Sequence, residues 1–115
     1  MVMRGVQFYR TRSGSSPIED FLDSLDARQA QKVTWVMRLI EELERVPQQY
    51  FKKISGSDDI WEVRVNVGRE TFRLLGFLED AKLVILVHAF KKKSQKIRKA
   101  DIKLAERRKK EYLSR

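Results

Sequence analysis

Residues 61–77 read W-E-V-R-V-N-V-G-R-E-T-F-R-L-L-G-F and contain the clearest structural pattern of the chain. Apolar and polar residues alternate on both sides of Gly68, which is typical of two half-buried strands joined by a tight turn. A third stretch, residues 83–90, is apolar on both faces until His88 and indicates a central strand. The sequence therefore predicts a small antiparallel sheet built around the turn at Gly68.

Two arginines of this stretch face each other if the strands pair across the turn. A turn that pairs Val67 with Glu70 also pairs Arg64 with Arg73, and a slip of one residue would bury both arginines. Like charges directly opposite each other on a sheet are unfavourable. We therefore expect an anion to lie between or above the two guanidinium groups, and phosphate is the anion that suits them best.

The N-terminal half predicts two helices. Ser16, with Glu19 three residues later, has the spacing of a capping box, and Asp26 with Gln29 repeats it. Apolar residues at helical spacing follow each cap, and Pro47 is expected to end the second helix. Nothing in these helices demands chemistry, so we interpret them as structural.

The remaining segments complete one predicted domain over residues 1–115. Residues 2–10 read as a strand, residues 50–59 as a loop, and a basic helix is expected from about Arg98 onward. The element order is then β-α-α-β-β-β-α. This order predicts an α+β fold in which a small antiparallel sheet packs against a two-helix hairpin and carries a basic C-terminal helix.

Composition excludes several kinds of site. The chain of 115 residues is 42% hydrophobic and 36% charged, which is ordinary for one globular domain. It has no cysteine and one histidine, so thiolate and multi-histidine metal sites are excluded. There is no signal-peptide pattern and no apolar run of roughly 20 residues. We expect a cytoplasmic protein without membrane span, metal or cofactor.

The net charge of +9 is confined to the C-terminal segment. Residues 1–87 hold 13 basic and 13 acidic residues, whereas residues 88–115 hold 12 basic and 3 acidic residues. A basic surface of this kind favours a polyanion such as nucleic acid, and binding should weaken as salt rises. The alternative is a basic helix that is merely solvated.

Several short motifs recur together in one known superfamily. They are W-E-V-R-V at 61–65, T-F-R-L-L at 71–75, H-A-F-K-K-K at 88–93, and a trailing pattern of Asp101, Ile102, Ala105, Arg108 and Tyr112. With the element order, this set resembles the RelE/HigB superfamily of toxins, and most of all its phage-derived, HigB-like branch. Members of that branch often carry a proline before the last helix, and residues 94–98 lack one.

The resemblance implies both an activity and partners. It implies a small endoribonuclease that cuts mRNA, in many relatives within the translating ribosome. It also implies an antitoxin partner, which in this branch typically carries a helix-turn-helix DNA-binding domain.

RNA cleavage by attack of the 2′-hydroxyl needs a base, an acid and cations that stabilise charge on the phosphate. The basic segment contains no carboxylate cluster, which favours a metal-independent reaction. Arg64 and Arg73 suit a phosphate clamp, but arginine is a poor base because it stays protonated. His88 is the residue type that changes charge near neutral pH, and the alternative for His88 is a satisfied core histidine. A lysine would replace it if neighbouring cations favoured the neutral amine.

Ten residues are therefore candidates for the site. The catalytic candidates are Arg73, Arg64, His88 and Lys92, and the RNA-binding candidates are Lys52, Lys53, Lys91, Lys93, Lys96 and Phe90. Each lysine has the alternative of plain solvated charge, and Phe90 either stacks on a base or packs beneath the last helix. Two other functions stay open: a non-catalytic nucleic-acid-binding module, and a domain that binds an acidic protein through its basic tail.

Overall fold

The computed structural model describes residues 4–115 as a five-stranded sheet with helices on both faces. The strands are β1 (Gly5–Phe8), β2 (Phe51–Lys53), β3 (Trp61–Val67), β4 (Glu70–Glu79) and β5 (Leu83–Lys91). The helices are α1 (Pro17–Asp23), α2 (Ala27–Glu42) and α3 (Lys99–Leu113). The α+β class and the start of the last helix near Arg98 are confirmed.

The sheet is mixed, so the prediction of an antiparallel sheet is wrong in one pairing. The strand order is β1-β5-β4-β3-β2, and β1 runs parallel to β5 while the other neighbours are antiparallel. An alternating pattern shows which side of a strand is buried, but it does not show which strand lies beside it or in which direction. The pairing of β1 with a strand about 80 residues away therefore had no local signal.

Several predicted boundaries also differ from the structure. The predicted loop at 50–59 contains β2, a three-residue strand paired with β3, which is too short to show an alternating pattern. The predicted first strand shortens to β1, and residue 2 lies outside the described residues. Helix α2 stops at Glu42 because Leu43 has an extended backbone, so Pro47 does not end it. The full capping box at Asp26 is confirmed.

The predicted capping box at Ser16 is only half formed. The Ser16 hydroxyl accepts a hydrogen bond from the Glu19 amide at 3.3 Å, as predicted. The Glu19 carboxylate does not return to the cap; it accepts from Arg10 Nη2 at 2.9 Å instead. A nearby guanidinium competes with the backbone for this carboxylate, which the spacing alone does not reveal.

Two apolar cores lie on opposite faces of the sheet. The first lies under α1 and α2 and is built from Ile18, Val33, Val36, Met37, Ile40, Phe51, Val63, Val65, Phe72, Leu74, Val84 and Leu86. The second lies under α3 and is built from Tyr9, Ile60, Leu75, Phe77, Ile85, Val87 and Ala105. The two helices of the predicted hairpin therefore cover one face, while the basic helix covers the other.

A β-bulge in β5 changes which side chains face α3. His88 pairs with Leu75, but Gly76 pairs with Leu86, so Val87 is an extra residue without a partner. Because side chains alternate along a strand, one extra residue exchanges the two faces beyond it. From His88 onward, each side chain of β5 therefore lies on the opposite face from the one that the alternation of the first half would give it. As a result, His88 lies on the same face of the sheet as Arg73.

In the described part of the chain, none of the helices has the length and apolar character needed to cross a membrane.

Candidate active site

The two arginines lie opposite each other across β3 and β4, as the turn predicted. The register pairs Arg64 with Arg73 and Val67 with Glu70. Gly68 opens the two-residue turn with φ of 60°, a left-handed conformation that glycine adopts without strain. The hairpin thus fixes both arginines on the face of the sheet that α3 covers in part.

The anion beside these arginines belongs to the chain itself. Glu62 Oε2 lies 3.2 Å from Arg73 Nε and 3.5 Å from Arg64 Nε. The Glu62 and Arg73 side chains are 6% and 4% exposed, whereas that of Arg64 is 40% exposed. The pair is close but badly aligned, since neither Glu62 Oε2 nor Arg73 Nε has a hydrogen-bond partner among the described residues. Arg64 is therefore the guanidinium that solvent and a ligand reach directly.

A loop formed by residues 92–98 closes over Arg73, and we call it the covering loop. Arg73 Nη2 donates to the carbonyl of Gln95 at 3.2 Å. The loop is anchored where the Lys92 amide donates to the carbonyl of Thr71 at 2.8 Å. The cavity between Arg73 and the loop has a volume of about 10 Å³, room for about one water molecule. Arg73 can reach a phosphate only if the covering loop moves.

His88 is held by an acidic partner from α3. Its Nε2 lies 2.8 Å from Asp101 Oδ1, and the other oxygen of Asp101 accepts from Arg98 Nε at 3.2 Å. The Phe90 ring lies beside the imidazole, with ring centres 5.2 Å apart. Phe90 pairs with Arg73 across β4 and β5. The side chains of Arg73, His88 and Phe90 thus form one cluster at the edge of the second core.

The predicted lysines divide between the two faces of the sheet. Lys52 is exposed and lies directly opposite Glu62 in the β2–β3 register, on the arginine face. Lys91 pairs with Glu70 at 2.8 Å and Lys53 with Asp59 at 2.6 Å. The register places both of them on the face that α1 and α2 cover, opposite Phe72 and Trp61. The structure therefore does not bring Lys53 to the arginines. Lys91 borders the cavity over Arg73, but its amine is paired with Glu70.

The other predicted lysines lie in the covering loop. Lys93 and Lys96 are exposed, and Lys92 Nζ donates to the Gln95 side chain at 3.4 Å. They border the cavity over Arg73 together with Phe90 and Arg98. The structure thus gathers Arg64, Arg73, His88, Phe90 and the loop lysines around one site.

Three members of this site were not predicted from the sequence: Glu62, Arg98 and Asp101. A signal for Glu62 existed, because it precedes Arg64 by two residues and is diagonal to Arg73 in the predicted register. Asp101 gave no such signal, because its contact with His88 depends on how α3 docks on the sheet. Within residues 4–115, no three side chains of His, Asp or Glu lie close enough together to hold a metal ion.

The fold and site together define a small α+β protein with a basic, partly covered site on its central hairpin. The family model described as Phage derived protein Gp49-like (DUF891) matches residues 20–110, about four-fifths of the chain. The chain belongs to this family, which is a RelE/HigB-like toxin-type family. Membership suggests the toxin of a toxin–antitoxin system, with an antitoxin as partner. A search of curated proteins finds no match to the chain.

Proposed function

We propose that the protein is an endoribonuclease toxin of the HigB-like branch that cleaves mRNA on the ribosome without a metal ion. The observation that carries the proposal is the convergence of Arg64, Arg73, His88 and Phe90 on one sheet face beside a lysine-rich loop. Action on ribosomes would take place in the cytoplasm. The antitoxin partner is expected to contain a helix-turn-helix domain and to cover the basic surface.

The reaction is attack of a ribose 2′-oxygen on the adjacent phosphorus. The bond from phosphorus to the 5′-oxygen breaks, which leaves a 2′,3′-cyclic phosphate and a 5′-hydroxyl end. Negative charge grows on the phosphate oxygens in the transition state, and fixed cations stabilise it most when they are already in place. Arg64 contacts these oxygens first, and Arg73 joins when the Gln95 carbonyl moves away.

Two proton transfers accompany this reaction, and His88 is our candidate for the base that accepts the proton of the attacking 2′-hydroxyl. Because Asp101 engages Nε2 of His88, the proton would be exchanged at Nδ1. Asp101 then has the role of holding the ring in position, as carboxylates do for catalytic histidines. Lys92 is our candidate for the acid that protonates the leaving 5′-oxygen.

The remaining candidates would bind RNA around the scissile phosphate. Phe90 offers an aromatic face on which a base can stack, worth roughly 1–3 kcal/mol per stacked base. Lys93 and Lys96 supply charge from the covering loop, and Lys52 supplies it from the edge strand β2. Lys53 and Lys91 are engaged by acidic side chains on the opposite face and would contribute least.

Replacement of Arg64 by glutamine is the direct test. Arg64 is partly exposed, so the variant should fold while cleavage falls by roughly 10²–10³-fold, the cost of removing one charge-stabilising donor. Cleavage is measured with purified protein on ribosomes carrying mRNA, and by primer extension on cellular mRNA after induction. The control is Arg38→Gln, an exposed arginine on α2 across the sheet, which should cleave normally.

Two results would contradict the proposal. One is wild-type cleavage by Arg64→Gln, which would remove the exposed arginine from the reaction. The other is loss of cleavage when EDTA is added to purified protein and ribosomes, which would show that a metal ion takes part.

A non-catalytic nucleic-acid-binding module is the second candidate function. It is favoured by the observation that Arg73 and His88 already have partners, Gln95 and Asp101. Such a module would bind RNA with strong salt dependence, yet primer extension after induction would show no new mRNA ends. The two candidates therefore give opposite results in one assay.

A further inference from the structure

The three acidic residues of α3 are each engaged by the body of the protein. Asp101 contacts His88, as described above. The Glu106 carboxylate accepts a hydrogen bond from the Asp58 amide at 2.9 Å, and that of Glu111 accepts from the Tyr9 hydroxyl at 2.6 Å. Docking of α3 on the sheet thus directs every negative charge of the helix toward a partner in the protein.

Four basic residues lie on the outer side of the same helix. They are Lys99, Lys103, Arg107 and Lys110, all exposed, and we call them the α3 basic stripe. Their spacing of four, four and three residues keeps them within about 80° of the helix circumference. With a rise of about 1.5 Å per residue, the stripe is about 16 Å long.

In the part of the chain that the structure describes, no acidic side chain forms an ion pair with the stripe. Glu106 is the acidic residue with suitable helical spacing to Lys103 and Lys110, but it is turned toward Asp58. Like charges four residues apart destabilise a helix by roughly 0.2–0.5 kcal/mol per pair. The arrangement therefore costs stability unless an anion binds outside.

We propose that the α3 basic stripe binds the sugar-phosphate backbone of RNA, independently of base sequence, next to the cleavage site. This inference rests on the proposed function and extends the contact with RNA beyond the site. The stripe starts at Lys99, directly after the covering loop, in which Lys96 is exposed. Exposed basic residues therefore follow one another along the chain from the loop into the helix, at Lys96, Arg98 and Lys99.

The chemistry of the stripe favours phosphate over a protein partner. Protein interfaces bury apolar anchors and are depleted in lysine. Three of the four stripe residues are lysines, and Leu113 is the exposed large apolar side chain on the described part of α3, near the end of the helix. A single exposed leucine is no anchor. Exposed lysine and arginine, by contrast, supply most of the salt-dependent affinity for nucleic acid.

The test replaces all four stripe residues by glutamine in the full chain. Binding is measured by fluorescence anisotropy with two unrelated 2′-O-methyl RNAs, which lack the attacking hydroxyl and cannot be cleaved. We expect the slope of log affinity against log salt to shrink by up to about 3, because each phosphate contact on a single strand contributes roughly 0.7. The loss should be equal for both RNA sequences.

A matched control removes the same charge elsewhere. The residues Arg28, Arg38, Arg45 and Lys82 are exposed and lie outside α3, so their replacement by glutamine should change the slope far less. The single variant Glu106→Gln should do the opposite of the stripe variant and raise RNA affinity, because it removes a negative charge three residues after Lys103 and four before Lys110 on the same helix. Thermal unfolding of each variant checks that the fold is intact.

Three outcomes would overturn the inference. They are an unchanged slope in the stripe variant, an equal change in the control variant, and a stripe variant that loses an acidic protein partner but keeps its RNA affinity. These outcomes are independent of catalysis, since the probe cannot be cleaved. If the stripe effect appears but the wild-type protein cuts no mRNA, the proposed function fails and the stripe remains an RNA-binding surface.

Discussion

Glu62 and Arg73 form a buried pair of opposite charges, and the burial makes each dependent on the other. Without Arg73, the buried Glu62 carboxylate keeps only the half-exposed Arg64 as a nearby cation. Removing one partner of a buried pair costs roughly 3–5 kcal/mol. We therefore expect Arg73→Ala to lower the free energy of unfolding by about that amount. Arg64→Ala, at the exposed end of the same cluster, should lower it by less than about 1 kcal/mol. Urea denaturation of both variants measures the difference.

The double variant Glu62→Gln, Arg73→Gln supplies the control. If the two charges depend on each other, the double variant is less destabilised than the sum of the single variants Glu62→Gln and Arg73→Gln. If Arg64→Ala and Arg73→Ala lowered the free energy of unfolding equally, burial of the pair would be unimportant for stability. The result also bears on function, because loss of toxicity in Arg73→Ala could arise from unfolding alone. Arg73→Lys keeps the charge and is the better variant for a cleavage assay.

The bulge in β5 is the element that brings His88 to the arginine face, and Gly76 lies beside it. A Cβ atom at Gly76 would run into the carbonyl oxygen of Ile85, a backbone atom that cannot move away without shifting the strand. We expect Gly76→Ala to cost roughly 1–3 kcal/mol of stability, as overpacking does. We also expect it to reduce cleavage more than the stability loss explains, because the position of His88 depends on the bulge.

Gly5→Ala in β1 is the matched control for this element. Its Cβ would meet only the end of the Leu83 side chain, at 3.1 Å, and that side chain can turn away. Thermal unfolding and cleavage are measured for both variants. Unchanged stability and activity in Gly76→Ala would show that the register at the bulge is not required.

The two ends of the molecule are joined through Glu111. Its carboxylate accepts from Arg115 and from the Tyr9 hydroxyl, both at 2.6 Å, and Arg115 also donates to the carbonyl of Arg10. The Arg115 guanidinium first, and the Tyr9 hydroxyl second, lower the pKa of Glu111 from 4.5 to about 2. A carboxylate with a lowered pKa stabilises the fold above its unfolded pKa, and this stabilisation is lost as pH falls through the folded pKa.

Glu111→Gln should therefore change how thermal stability depends on pH. Above about pH 4.5 we expect a lower Tm than in the wild-type protein, because the charged contact is missing. Between about pH 4.5 and 2 the two proteins should converge as Glu111 is protonated in the wild type. A constant difference in Tm across this range would show that the Glu111 charge does not join the ends. Asp23→Gln, an exposed acid at the end of α1, is the control.

Local rules account for the elements that the sequence predicted correctly. The Gly68 hairpin and its arginine register follow from alternation and a two-residue turn, and the Asp26 box follows from side chains that bind the adjacent backbone. The start of α3 near Arg98 also follows from local pattern. The parallel pairing of β1 with β5 and the short strand β2 depend on distant segments, so local pattern contains no information about them.

The sequence determined which residues share the polar face of the hairpin, since side chains two apart on a strand lie on one side and a tight turn fixes the opposite partners. It also determined where the positive charge lies, because charge is a property of composition. Which of these charges is accessible depends instead on tertiary packing. The covering loop packs over Arg73 and buries it, and the bulge places His88 on the arginine face. The docking of α3 turns the acidic residues of the helix toward the protein and leaves the α3 basic stripe exposed. Burial and partner choice arise from contacts between segments far apart in the chain.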